Sequence, residues 1–313
     1  MRRAALSTAT LNAEAFAASH APAAARHGSP AVDSHAAPRD LTAHGYAIRS
    51  ASAGSRAASA AAAIPGGIHV RGLSVSYDGV PALRDVSFDI EPGHLCGLVG
   101  MNGAGKSTLF KTLMGVVRPD AGSVQLAGID GRQARKRGMV SYVPQQEDID
   151  WSFPLRVEDA VMMGRYGLLN WLRSPRREDR EAVRAAIGRV ELGEFSRRQI
   201  GNLSGGQRKR VFVARGLAQR ARIMLLDEPF AGVDRRSELM IAKVLKDLAR
   251  DGMTILVASH DLHALPELCD EAMLINRAIV AHGPIAEVLQ PEQLAKAFGL
   301  EPEDQALSED LMR

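Results

Sequence analysis

Three glycines, an ammonium group and a hydroxyl are gathered in eight residues, Gly100-Met101-Asn102-Gly103-Ala104-Gly105-Lys106-Ser107, which fit the pattern G-x-x-x-x-G-K-[ST]. Glycine lacks the Cβ that would keep a backbone from wrapping an anion, so the N–H groups of this stretch can cradle phosphates. Lys106 is placed to reach the β- and γ-phosphates of a nucleoside triphosphate, and the Ser107 hydroxyl to ligate Mg²⁺. Thr108 adds a contact on the α-phosphate side. A second set, the carboxylates Asp227 and Glu228, follows the apolar run Ile223-Met224-Leu225-Leu226. Asp227, at the end of a buried strand, suits Mg²⁺ held through water, because a hard cation prefers oxygen ligands. Side chains alternate along a strand, so adjacent carboxylates would point apart if it continued. The strand is therefore expected to end before Pro229, letting both groups reach the phosphates.

These groups need elements to hold them. The stretch 68–90 reads as two antiparallel strands around an Asp78-Gly79 turn, with Leu73, Val75 and Tyr77 alternating before it and Val86, Phe88 and Ile90 after. Residues 95–99 form a short apolar run, read as a buried parallel strand. A helix begins near Gly105, and its N-terminal dipole favours the same anion. Strands follow at 123–127 and 139–143. From 147 to about 202 the pattern turns helical, with apolar faces over 157–172 and 178–190. A helix over 206–220 comes next, then a strand at 223–226, a helix at 236–250 and a strand at 254–259. The order is sheet core, helical insertion, sheet core.

Between the two chemical sets lies Leu203-Ser204-Gly205-Gly206-Gln207. With this run the chain resembles the ATP-binding cassettes of ABC transporters over about residues 68–300. The resemblance implies an α/β P-loop NTPase fold: a RecA-like mixed sheet core, an antiparallel β subdomain, and an α-helical subdomain inserted at about 147–206, with a tail at 301–313. It implies ATP and Mg²⁺ as ligands and ATP hydrolysis as the activity. Glu228 resembles the general base that polarises the attacking water. Gln145, in Tyr142-Val143-Pro144-Gln145, matches the Q-loop glutamine that touches Mg²⁺ or the lytic water, and is preferred to Gln146 on the V-P-Q pattern. His260, in Ala258-Ser259-His260-Asp261, matches the switch histidine at the γ-phosphate, and Tyr77 the aromatic that stacks on adenine. Ser204, Gly205 and Gly206 open a helix, a second anion-binding arrangement. In the family this signature closes on the nucleotide held by a second cassette, with Asp234 in the loop that crosses the interface. A homodimer is therefore implied.

The helical insertion carries a narrower likeness. Asp150-Trp151-Ser152-Phe153-Pro154, Gly164-Arg165-Tyr166-Gly167 and Arg198-Gln199-Ile200-Gly201 resemble ATP-binding subunits of bacterial importers for manganese, zinc or iron. Such a subunit sits peripherally on the cytoplasmic face of the bacterial inner membrane. Its implied partners are transmembrane permease subunits and, through the complex, a solute-binding protein, with no nucleic acid. Trp151 and Phe153 read as core aromatics of the helical subdomain, as part of the surface that receives the permease, or as both. Met101 stands where proline is common and Ala231 where threonine or serine is, and neither position carries chemistry. Import of another cargo, such as iron-siderophore, is the competing reading. A non-transport ABC ATPase would bring a second cassette or a long coiled coil, and an inactive regulator would lack Glu228 or Lys106.

Composition bounds the rest. A formal net charge of +3 is too small to imply nucleic acid. No apolar run is long enough to cross a bilayer. Cys96 and Cys269 are the only cysteines and sit in no paired-ligand spacing, which argues for a reducing compartment. Residues 1–67 are rich in alanine, serine and histidine, contain no lysine and show no period. Such a segment buries too little apolar area to offset its chain entropy and reads as disordered, with His20, His27, His35 and His44 as solvated filler rather than a metal tail. Deleting residues 1–60 is expected to leave the melting temperature and the ATPase rate unchanged, measured side by side with the full chain.

Overall fold

The computed structural model describes residues 66–145, 153–169 and 171–299. The expectations for residues 1–65, Gln146, Trp151 and 301–313 lie outside the described residues. Strands β1 (Ile68–Tyr77) and β2 (Val80–Ile90) pair antiparallel around Asp78-Gly79, as the alternation predicts. β3 (Leu95–Val99) leads through the glycine loop into helix α1 (Lys106–Leu113). Next come β4 (Ala121–Leu126), β5 (Ile129–Asp130), α2 (Gly131–Lys136) and β6 (Val140–Val143). The helical part holds α3 (Val157–Met162), α4 (Arg177–Arg189) and α5 (Gly205–Ala218). β7 (Ile223–Asp227), α6 (Arg235–Arg250) and β8 (Thr254–Ala258) return to the sheet. The described chain ends with α7 (Leu265–Leu268), β9 (Glu271–Asn276), β10 (Ala278–Pro284), α8 (Ile285–Val288) and α9 (Pro291–Phe298).

The strands form two sheets. One is antiparallel, in the order β2-β1-β4-β5; the other has six strands in the order β10-β9-β3-β8-β7-β6. In the larger sheet β9, β3, β8, β7 and β6 run parallel and only β10 is antiparallel. Both faces of the parallel strands are covered, so they read as continuous apolar runs. Alternation sorts the side chains: Leu95, Met224, Leu226, Ile255 and Val257 join the core shared with the helices. Leu98, Leu225, Leu256, Met273 and Ile275 join the core under the antiparallel sheet.

The helix expected over 157–172 is shorter in the structure. α3 stops at Met162, and one 3₁₀ turn carries the chain to Arg165. Gly164 explains the break. A Cβ there would lie 2.2 Å from the Arg215 carbonyl oxygen, so glycine lets this turn press on the backbone of α5. Arg165 then buries its guanidinium, donating from Nε to Asp179 Oδ1 at 2.9 Å and from an η-nitrogen to the Ala218 carbonyl at 3.0 Å. Asp179 also accepts from the Arg176 amide, and this bond, with the Arg165 guanidinium, holds its carboxyl below the usual carboxylate range. The Gly-Arg-Tyr-Gly stretch is thus a staple joining α3, α4 and α5. Arg165→Met is expected to lower unfolding free energy by about 3 kcal/mol in a denaturant titration, because it strands a buried carboxylate.

Candidate nucleotide site

The glycine loop, Gln145, the two acids and His260 each lie at or just beyond the C-terminal end of a parallel strand, β3, β6, β7 and β8 in turn. Together they line one cavity of about 490 Å³, bounded by Met101, Asn102, Gly103, Gly105, Lys106, Ser107, Thr108, Gln145, Asp227, Glu228, His260 and Ala82. Gly100 and Ala104 lie behind this lining. Ala82, on β2, is a wall residue that no motif announces.

The loop's glycines have unequal reasons. Gly103 has φ +83° with nothing within 4 Å of a would-be Cβ, so its open side faces the cavity. Gly105 has φ +102°, and a Cβ there would strike the Leu83 side chain and the Ala82 carbonyl oxygen. It lets the loop pack on β2 rather than approach a ligand. No side chain caps α1, so its first-turn amides are available to an anion. Lys106 is folded over the loop, donating to the carbonyl oxygens of Gly100 and Met101. Burial lowers its pKa, and the nearby Glu228 and Asp227 counter that.

Asp227 is 8% exposed and accepts from the Tyr142 hydroxyl at 3.4 Å. Burial, reinforced by the Glu228 charge, raises its pKa despite Tyr142, Lys106 and Lys209. The strand ends at Asp227 as expected, and the reason is visible one residue on. Glu228 has φ +49°, a left-handed conformation that breaks the alternation and turns its carboxylate to the same side. Its amide donates to the Ala258 carbonyl at 3.0 Å, fixing that turn. Glu228 Oε2 lies 2.7 Å from His260 Nδ1; the acid is largely buried and the imidazole is 72% exposed. An oxygen-rich set of Ser107, Gln145 and Asp227 beside the phosphate loop fits Mg²⁺.

Three predicted residues or groups fall elsewhere. Tyr77 ends β1, is 45% exposed and does not line the cavity. The Leu203–Gln207 run does not line the cavity either. There Ser204 caps α5, accepting from the Gln207 amide, while the Gln207 side chain accepts from the Ser204 amide. Gly206 is required by packing, since a Cβ would sit 2.3 Å from that of Ser237 on α6. Asp234 caps α6, accepting from the Ser237 amide at 3.0 Å and its hydroxyl at 2.8 Å, bonds that lower its pKa. Sequence reasoning missed Lys209, whose ammonium donates to the carbonyls of Pro144 and Gln145 and ties α5 to the Q-loop. Its place beside the LSGGQ run was the available signal. Phe153, 61% exposed, is not a core aromatic.

A glycine loop between a parallel strand and a helix, facing two acids and a histidine, defines a P-loop ATPase. The sequence profile described as "ABC transporter" matches residues 83–231. The chain is 49% identical over 231 residues to the chelated iron transport system membrane protein YfeB of Yersinia pestis, covering 74% of this chain and 78% of that one. It is 46% identical to the manganese transport system ATP-binding protein MntA of Synechocystis, covering 74% and 90%. Among solved structures it resembles an inward-facing ABC transporter assigned to the metal-chelate type, with TM-score 0.67 and 27% identity over 75% of this chain and 89% of that one. This chain belongs to the ABC transporter family and is an ATP-binding, ATP-hydrolysing cassette.

The raised pKa of Asp227 has a consequence for stability. A carboxyl whose folded pKa lies above its unfolded value stabilises the protonated fold, and that contribution is lost as pH rises from the unfolded value, about 4, through the folded one. Asp227→Asn removes the charge. It is expected to raise the melting temperature of the nucleotide-free protein at pH 7, with the gain shrinking towards pH 4, measured by calorimetry at both values.

Proposed function

We propose that this cassette drives import of a divalent metal cation, manganese, iron or zinc, through a separate membrane permease. The observation that carries the hydrolytic part is the 2.7 Å contact between Glu228 and His260 inside the cavity lined by Lys106 and Ser107. Glu228 acts as the general base on the attacking water, and His260 holds that carboxylate and reads the γ-phosphate. The glycine loop, Lys106, Ser107 and Thr108 bind the triphosphate, and Tyr77 packs on the adenine. Ser107, Gln145 and Asp227 would hold Mg²⁺, which supplies charge neutralisation at the β- and γ-phosphates.

The LSGGQ run, with Ser204 and Gly205 exposed at the start of a fourteen-residue helix, serves the nucleotide of a second copy. Asp234 lies in the loop between them. Two cassettes close around ATP and open after hydrolysis, moving the permease between access states. No helix among the described residues is long and apolar enough to cross a membrane, so the transport path belongs to other subunits. A solute-binding protein delivers the cargo on the far side. Phe153, Tyr166 and Trp171, all exposed on the helical part, support a permease-facing surface there. The cytoplasmic face of the inner membrane is where such a subunit meets ATP. The metal cargo rests on the relatives' names, chelated iron for one and manganese for the other.

Glu228→Gln is expected to retain ATP binding and lose at least about a hundredfold in turnover. In cells lacking the chain, uptake of radiolabelled Mn²⁺, Fe²⁺ and Zn²⁺ is compared with cells carrying it or Glu228→Gln. Uptake of one of these metals that requires Glu228 is the expected result. Unchanged uptake of all three, in a strain without a redundant system, overturns the metal cargo and leaves iron-siderophore as the cargo to test.

A further inference from the structure

A second group of ligating side chains lies at the other end of β3. Cys96 is near the start of that strand, and its register partner on β9 is Glu271. His282 on β10 pairs with Met273. By alternation Cys96, Glu271 and His282 share the sheet face that carries Leu98, Met273 and Ile275, under the antiparallel sheet. The Cys96 sulfur, a Glu271 oxygen and a His282 nitrogen all lie within 4.8 Å of one another. Phe88 of β2 meets the His282 ring edge to face and helps set its orientation.

Two of these groups are held only by ion-pair contacts. Glu271 Oε1 and His282 Nε2 are buried without a hydrogen bond. Leaving such groups unsatisfied is costly, so their convergence calls for a reason. His282 Nε2 stands 3.4 Å from Glu271 Oε2. Nitrogen and oxygen ligands on a tetrahedral zinc ion, each about 2.0–2.1 Å from it, are separated by about 3.3 Å. His94 Nδ1 lies 3.4 Å from the other carboxylate oxygen and stands outside the group of three. The Cys96 thiol is fully buried and directed at the Gly97 carbonyl, 3.7 Å away.

We propose that Cys96, Glu271 and His282 form a three-ligand binding site for a zinc-class divalent cation, with the fourth position left to water. A set of thiolate, imidazole and carboxylate suits Zn²⁺ or Co²⁺, whereas Mg²⁺ takes oxygen ligands. The site is distinct from the nucleotide cavity, whose loop begins beyond Gly97, Leu98 and Val99. Binding forms a metal–sulfur bond, and the thiol proton passes to solvent.

The test is a titration of the full-length, nucleotide-free protein with cobalt chloride, followed by absorption spectroscopy. One Co²⁺ per chain is expected to give a thiolate-to-cobalt charge-transfer band and the intense visible bands of tetrahedral cobalt, displaced by equimolar Zn²⁺. Cys269→Ser should keep the band, Cys96→Ser should lose it, and His282→Gln should weaken cobalt affinity at least about tenfold. Histidines of the N-terminal segment and oxygen ligands at the phosphate loop produce no thiolate band, so they cannot imitate this result. Absence of the band in the parent protein at saturating cobalt, or its persistence in Cys96→Ser, overturns the proposal.

Discussion

Parallel pairing of β3 with β8, and of β8 with β7, is the constraint from which the nucleotide site follows. A parallel sheet puts the C-terminal ends of its strands on one edge, and groups that follow those strands must meet there whatever their separation in sequence. Lys106, Glu228 and His260 are brought to one cavity in this way. The pairing in turn depends on burial of both sheet faces, one by α5 and α6 and the other by α1 and the antiparallel sheet. The sheet's apolar alternation is therefore a condition of the chemistry as much as of stability. A polar residue at Leu225 or Leu256 would disturb the edge before it touched any ligand.

Electrostatics at that edge are held out of balance. Burial raises the pKa of Asp227 and lowers that of Lys106, so each is less comfortable in its charged form than it would be in water. Glu228, one residue from Asp227, adds like charge to a half-enclosed space. Lys106 satisfies its donors on carbonyls of its own loop rather than on a carboxylate. A site built from these parts favours a ligand that carries both a cation for the acids and an anion for the lysine and the helix end. A metal–polyphosphate has both.

Much of this edge was legible in the sequence because each chemical motif travels with its own element. The glycine loop needs a strand before it and a helix after it, and the alternation and apolar runs supplied both. What could not be read were effects of tertiary contact. Nothing local marks Glu228 as left-handed, because the turn is fixed by a bond to Ala258 on another strand. Gly206 looked like part of an anion site, yet its nearest constraint is Ser237 on α6. The helix past Met162 was over-extended because apolar spacing continued, while Gly164 answered to the backbone of α5. β9 and β10 were passed over, and with them the Glu271 and His282 side chains that face Cys96.

The proposed second-copy role of the Ser204–Gln207 run rests on how differently the two helix ends, at α1 and α5, are built. The α1 end opens into the cavity formed by its own chain. The α5 end is fixed by reciprocal capping between Ser204 and Gln207, with Gly206 wedged against α6, and takes no part in that lining. A capped end held rigid by packing is preorganised, since it loses little freedom when a ligand arrives. Its position relative to the Q-loop is not free either, because Lys209 on the same helix grips the carbonyls of Pro144 and Gln145. Displacement of α5 would therefore pull on the segment that bears Gln145 at the cavity wall. Through that ammonium a force applied to α5 would reach the wall of the nucleotide cavity, the kind of coupling that the proposed transport role calls for.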